Sequence, residues 1–154
     1  MQTDQHFPLP ARISSGWRIG IVHSLYYPDI VSKLVAGAQA VFKEAGLAPG
    51  NVRTYAAPGS FEIPLIGAAL IASKEVDALI ALGVIVEGET HHAALIAGEA
   101  ARAIMDLQVR HRLPFAFEIL YVREPEQARA RTNRGAEAAR AVLHALAQIE
   151  PLHP

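Results

Sequence analysis

The chain has 154 residues, is 51% apolar, carries a formal net charge of −1, and contains no cysteine. That length fits one domain with an ample core, and no apolar run approaches the roughly 20 residues of a membrane span. The scattered Lys and Arg form no basic stripe for nucleic acid, and the lack of cysteine removes disulfides, thiolate nucleophiles and Cys-based zinc sites.

The mean hydropathy of +0.21 comes mainly from alanine and aliphatic residues, a surplus read as subunit interface. Seven histidines remain, but His91 and His92 are adjacent and project differently on a helix, unlike an i, i+4 ligand pair. No metal is expected. Residues 1–16 hold Pro8 and Pro10, show no periodicity, and lack the basic start and apolar core of a secretory signal. They are read as an extended N-terminal arm able to pack on a neighbouring subunit, ahead of a single domain over 17–154 in a cytoplasmic protein.

Residues 18–22 form a first short strand. Leu34, Val35, Ala38, Val41, Phe42 and Ala45 follow at helical spacing until Gly46 stops the helix. A second strand covers 51–55, and a helix through about Lys74 follows Pro58-Gly59-Ser60, with Ser60 as N-cap and Pro64 in the first turn. The apolar run 77–86 is a third, buried strand. The alanine-rich stretch 90–109 is helical, Pro114 resets the chain into a strand over 115–121, and a last helix covers 125–149 with Gly135 as a kink.

Strands alternating with helices predict an α/β fold: a three-layer αβα sandwich with a four-stranded parallel sheet in flavodoxin-like order 2-1-3-4. Ligands of such folds bind beyond the carboxyl ends of the strands, where the unusual loops gather. The most informative is the junction at Glu87-Gly88-Glu89-Thr90-His91-His92. A strand running through a glycine turn into a helix leaves amides that attract an anion, and a histidine beside them can move protons. Taken singly, each loop also has an ordinary structural reading. Thr90 and Glu89 suit a helix cap, Glu62 suits a first turn, and Tyr26 and Tyr27 suit packing at a sheet end. The series Arg123, Arg129, Arg131, Arg134 and Arg140 suits a solvated helix face.

In order, these segments resemble the lumazine synthase family. The resemblance rests on Ile19-Gly20-Ile21-Val22 leading to an aromatic residue, Pro58-Gly59-Ser60-Phe61-Glu62-Ile63-Pro64, Gly88-Glu89-Thr90-His91-His92, Pro114-Phe115-Ala116-Phe117, and Glu126-Gln127-Ala128 followed by Arg131. It implies the condensation of 5-amino-6-ribitylaminouracil with 3,4-dihydroxy-2-butanone 4-phosphate to 6,7-dimethyl-8-ribityllumazine, phosphate and water, without a metal or organic cofactor. The substrate amine itself forms the imine, so no Schiff-base lysine is needed. It also implies a functional link to riboflavin synthase. A weakly catalytic paralogue that binds lumazine or flavin, and a structural oligomer with a vestigial site, are the alternatives.

By resemblance, Tyr26 stacks on the pyrimidine, while Gly59, Ser60, Phe61 and Glu62 hold the ring and ribityl chain. Ile85 and Val86 meet the pyrimidine edge through their backbone. Gly88, Glu89 and Thr90 form the phosphate-side turn, with the Glu89 side chain pointing away, and Arg131 closes on the phosphate. His92 transfers protons. Phe117 comes from the adjacent subunit, and Arg134 lies near the ribityl chain, so sites lie between subunits. Glu87 stands where many members have arginine, as in the divergent type II branch; Tyr27 replaces a common asparagine and Glu118 a common glycine. The segment Arg131-Thr132-Asn133-Arg134-Gly135 is about five residues shorter than the family's loop. A pentamer or a dimer of pentamers is therefore expected rather than a hollow shell.

Overall fold

The computed structural model describes residues 7–153, so residues 1–6 of the expected arm, and Pro154, lie outside the described residues. Four strands, β1 (Ile19–Ser24), β2 (Val52–Ala57), β3 (Ala78–Val86) and β4 (Phe115–Val122), form one parallel sheet in the order β2-β1-β3-β4. This is the expected order. Five α-helices accompany them: α1 (Pro28–Glu44), α2 (Ile63–Ser73), α3 (His92–His111), α4 (Pro125–Arg129) and α5 (Arg134–Ile149).

The apolar run of β3 follows from its central position. Alternate side chains leave a strand on opposite faces, and both faces here are covered. Ala78, Ile80, Leu82 and Val84 enter a core with Leu34 and Phe42 of α1 and Val142 and Leu143 of α5. Leu79, Ala81 and Ile85 enter a second core with Ile63 and Leu70 of α2 and Ala100 and Ile104 of α3. The strand is thus shared by two cores.

The expected last helix is broken. It divides into α4 and α5 through a turn at residues 130–133, and α4 opens with a reciprocal cap between Glu124 and Gln127. Gly135 is therefore no kink. It is the place where α5 presses on α1, since a Cβ there would lie 2.0 Å from the Leu34 carbonyl oxygen. Helix α2 also starts later than expected, at Ile63 after a 3-10 turn over Ser60–Glu62, with no side-chain cap. Ser60 does not cap it, because Ser60 begins that 3-10 turn and Glu62 holds the N-cap position. Helices α2 and α3 end on Lys74 and Arg112, each in the left-handed region that commonly ends a helix.

Residues 7–16 contain no helix or strand. They run over their own chain: Leu9 and Ile13 pack on the first core, the Phe7 ring meets His144 edge-on, and Arg12 reaches Glu150 at 2.8 Å. Trp17 Nε1 also donates to Glu150.

Candidate active site

Three strand ends build the site. After β1, the Leu25 amide donates to the Ala57 carbonyl at 3.0 Å, and the Tyr26 amide donates to Ser24 Oγ at 3.1 Å. Tyr26 then stands 65% exposed, and Tyr27 turns the chain into α1 from a left-handed conformation, φ 52°. After β2, the 3-10 turn brings Ser60 inward beside Gly83 of β3. A Cβ at Gly83 would lie 2.7 Å from Ser60 Oγ, so only glycine lets the hydroxyl sit there without displacement.

After β3, the chain turns through residues 87–91 into α3, where the His92 amide donates to Thr90 Oγ1 at 3.3 Å. The helix thus begins two residues later than expected. The first-turn amides of Ala93 and Ala94 have no carbonyl four residues back within the helix, so this end is electropositive.

These loops enclose an open cavity of about 770 Å³. Of the residues singled out in the sequence, Tyr26, Gly59, Ser60, Phe61, Glu62, Ile85, Val86, Gly88, Thr90 and His92 line it. Glu89 does not. Tyr27, Val84, Ala93, Leu95, Ile96 and Glu99 complete the wall. The last three follow His92 at helical spacing, i+3, i+4 and i+7, and that spacing could have revealed them. The Glu99 carboxyl is held below its ordinary range by a 2.9 Å hydrogen bond from Arg102. Lys33 and Lys43 lie on α1 and Lys74 ends α2, and no lysine lines the cavity.

Phe117, Arg131 and Arg134 do not join this cavity. Arg131 borders a second hollow, of about 510 Å³, with Glu87, Leu120, Tyr121, Val122, Arg123 and Gln127. Its guanidinium donates to the Gln127 carbonyl at 2.6 Å, while Gln127 Oε1 accepts from the amides of Arg123 and Glu124 at 2.7 and 3.1 Å. Glu87 pairs loosely with Arg123 at 3.8 Å. Phe117 lies on the edge strand, 38% exposed. Arg134 is 3.4 Å from Glu137, and the neighbouring Glu118 carboxyl is pushed up to about 7 by burial, with Arg134 opposing and Glu137 reinforcing the shift.

A doubly wound parallel sheet with a wide crevice over its carboxyl ends, rimmed by an aromatic ring, a carboxylate, a helix N-terminus and a histidine, defines a small-molecule site of the flavodoxin-like class. A family model described as 6,7-dimethyl-8-ribityllumazine synthase matches residues 16–150. Proteins of that name are similar to the chain. One from Methylorubrum extorquens strain PA1 is 41% identical over 143 residues, covering 86% of this chain and 81% of its own. One from Methylobacterium radiotolerans is 44% identical over 138 residues, covering 86% and 82%. One from Thermus thermophilus is 31% identical over 148 residues, covering 93% and 94%. The chain belongs to the 6,7-dimethyl-8-ribityllumazine synthase family.

Proposed function

We propose that this protein condenses 5-amino-6-ribitylaminouracil with 3,4-dihydroxy-2-butanone 4-phosphate to 6,7-dimethyl-8-ribityllumazine, releasing phosphate and water, in riboflavin biosynthesis. The observation that carries the reading is the convergence of Tyr26, Ser60, Glu62 and His92, from three separate strand-end loops, on one cavity. Tyr26 offers a flat face to the pyrimidine. Glu62 and Ser60 supply the acceptor and hydroxyl that a ribityl chain requires, and the backbone at Ile85 and Val86 meets the ring edge.

The phosphate sits toward Gly88, Glu89 and Thr90, where backbone amides and the α3 dipole favour an anion. His92, on the first turn of α3, relays protons to and from solvent: it takes the proton from the carbon between the imine carbon and the phosphate-bearing carbon, and the electrons of that bond form the double bond as the phosphate leaves. The amine of the uracil attacks the ketone, so a lysine nucleophile is unnecessary, in keeping with a cavity wall that contains none. Positioning two substrates in one cleft then accounts for much of the rate.

Arg131, Phe117 and Arg134 belong, in this reading, to a site completed by a second copy of the chain. Arg131 supports it, because it borders a hollow separate from the pyrimidine cleft of its own chain. A pentamer or a dimer of pentamers is the assembly expected. The test is direct: purified protein is mixed with both substrates and lumazine fluorescence is followed. Formation above the spontaneous rate supports the reading, and the spontaneous rate alone refutes it.

A further inference from the structure

Among the described residues, the buried polar side chains are Ser24, 1% exposed, and Ser60, 6% exposed. Ser60 faces the cavity. Ser24 does not line it, yet its Oγ accepts the Tyr26 amide. A buried hydroxyl at the last position of a central strand carries a desolvation cost, and a local hydrogen bond to the backbone two residues on offsets part of it.

We propose that Ser24 is a positioning residue of this site: its hydroxyl fixes the backbone at Tyr26 and thereby aims the tyrosine ring at the pyrimidine. This rests on the function proposed above. The ring is mostly exposed, so packing does little to orient it. What it touches is Gly59, whose Cβ, if present, would stand 3.2 Å from Tyr26 Cε2 and 3.5 Å from a Glu62 carboxylate oxygen. The ring and the carboxylate converge on that glycine, and a tilt of the Tyr26 backbone separates them.

Two anchors prevent the tilt. Upstream, the Leu25 amide is tied to Ala57 and the Tyr26 amide to Ser24. Downstream, the Tyr27 carbonyl accepts the amides of Ile30 at 3.0 Å and Val31 at 2.9 Å, which holds Tyr27 in its left-handed conformation ahead of Pro28. That conformation is disfavoured for a non-glycine residue, because its Cβ crowds the following carbonyl oxygen. It persists only while both sides of the loop are tied. Removing the Ser24 hydroxyl leaves the Tyr26 amide without its partner and frees Tyr27 to leave the left-handed region, carrying the ring with it.

The test is a double-mutant cycle on the assembled protein with Ser24→Ala, Tyr26→Ala and the pair, reading the Kd of 6,7-dimethyl-8-ribityllumazine and the KM of each substrate. Ser24→Ala raises Kd and the KM of the uracil by about 2–10-fold, the weight of one neutral hydrogen bond, with little change in the KM of the phosphate substrate. In the Tyr26→Ala background the same change has less than about twofold effect, because the ring it aims is gone. Equal effects in both backgrounds overturn the proposal. Hydrogen exchange of the Tyr26 amide needs neither ligand nor turnover: protection in wild-type protein, lost in Ser24→Ala, supports the proposal, and an unprotected wild-type amide overturns it even if Ser24→Ala does not fold. Protein that binds lumazine but makes no product refutes the proposed reaction, while the Kd cycle still decides the role of Ser24.

Discussion

Replacing Gly135 with alanine tests the α1–α5 contact most directly. The added Cβ would fall 2.0 Å from the Leu34 carbonyl oxygen, 2.7 Å from its carbon and 2.8 Å from its Cα, all backbone atoms inside α1. No rotamer change relieves such a contact, so α5 must withdraw by about 1 Å or more before van der Waals separation is restored. The withdrawal opens the layer in which Leu34, Ala38 and Val41 meet Ala138, Ala139 and Val142, all buried. A gap of 0.5–1 Å forfeits a quarter to a half of each contact's attraction, so a loss of about 3–4 kcal/mol is expected, offset by about 1 kcal/mol of helix propensity gained at the former glycine. The net destabilisation is about 2–3 kcal/mol. Gly37 is the control on the facing helix, since a Cβ there would lie 3.4 Å from the Ala136 nitrogen, an ordinary contact. Urea unfolding at one fixed protein concentration, followed by circular dichroism, should show Gly135→Ala with a clearly lower midpoint and Gly37→Ala with an equal or slightly higher one. Equal midpoints for the two variants would refute the packing argument.

Glu118 has a folded pKa of about 7, above its unfolded value, so the folded state favours the protonated acid. Its contribution to stability is full below about pH 4 and is lost as pH rises toward 7. Glu118→Gln should therefore match wild type near pH 4 and exceed it by about 1–2 kcal/mol above pH 7, after screening by solvent is counted; denaturation at several pH values reads this, and a difference independent of pH contradicts it. In steady-state assays His92→Ala should lower kcat by about 10²-fold with substrate KM values little changed, whereas a change confined to KM would remove His92 from proton transfer. Arg131→Ala should raise the KM of the phosphate substrate by 10-fold or more and spare that of the uracil, reflecting a lost charge-assisted contact of about 1.5–3 kcal/mol. Gly83→Ala should keep the fold but displace Ser60 Oγ, and calorimetry should find lumazine binding weakened by several-fold; unchanged affinity would show that the hydroxyl does not reach the ligand.

The sheet was legible because its signals are local. The nine-residue run of β3 has the composition of a strand buried on both faces, and the glycine turn after it marks where the burial ends. Family motifs then identified the loops of the cavity. What the sequence concealed depends on partners far along the chain. Gly135 reads as a kink until Leu34, about a hundred residues earlier, is found against it. Ser60 reads as a helix cap until Gly83 is seen to make room for it inside. The break before α5 is signalled only by Thr132-Asn133, weak turn formers within an otherwise helical pattern. The sequence order likewise placed Arg131 after the motif loops without revealing that it opens onto a different hollow from His92.

The fastening of the N-terminal segment to His144 of α5 and to Glu150 just beyond that helix has a consequence for the site. Arg12 and Trp17 meet Glu150 near the C-terminus, and Phe7 rests on His144, while the cavity lies over the opposite ends of the strands. The first and last described residues are therefore gathered at the pole remote from the ligand cleft, so loosening them leaves the walls of the cleft itself untouched.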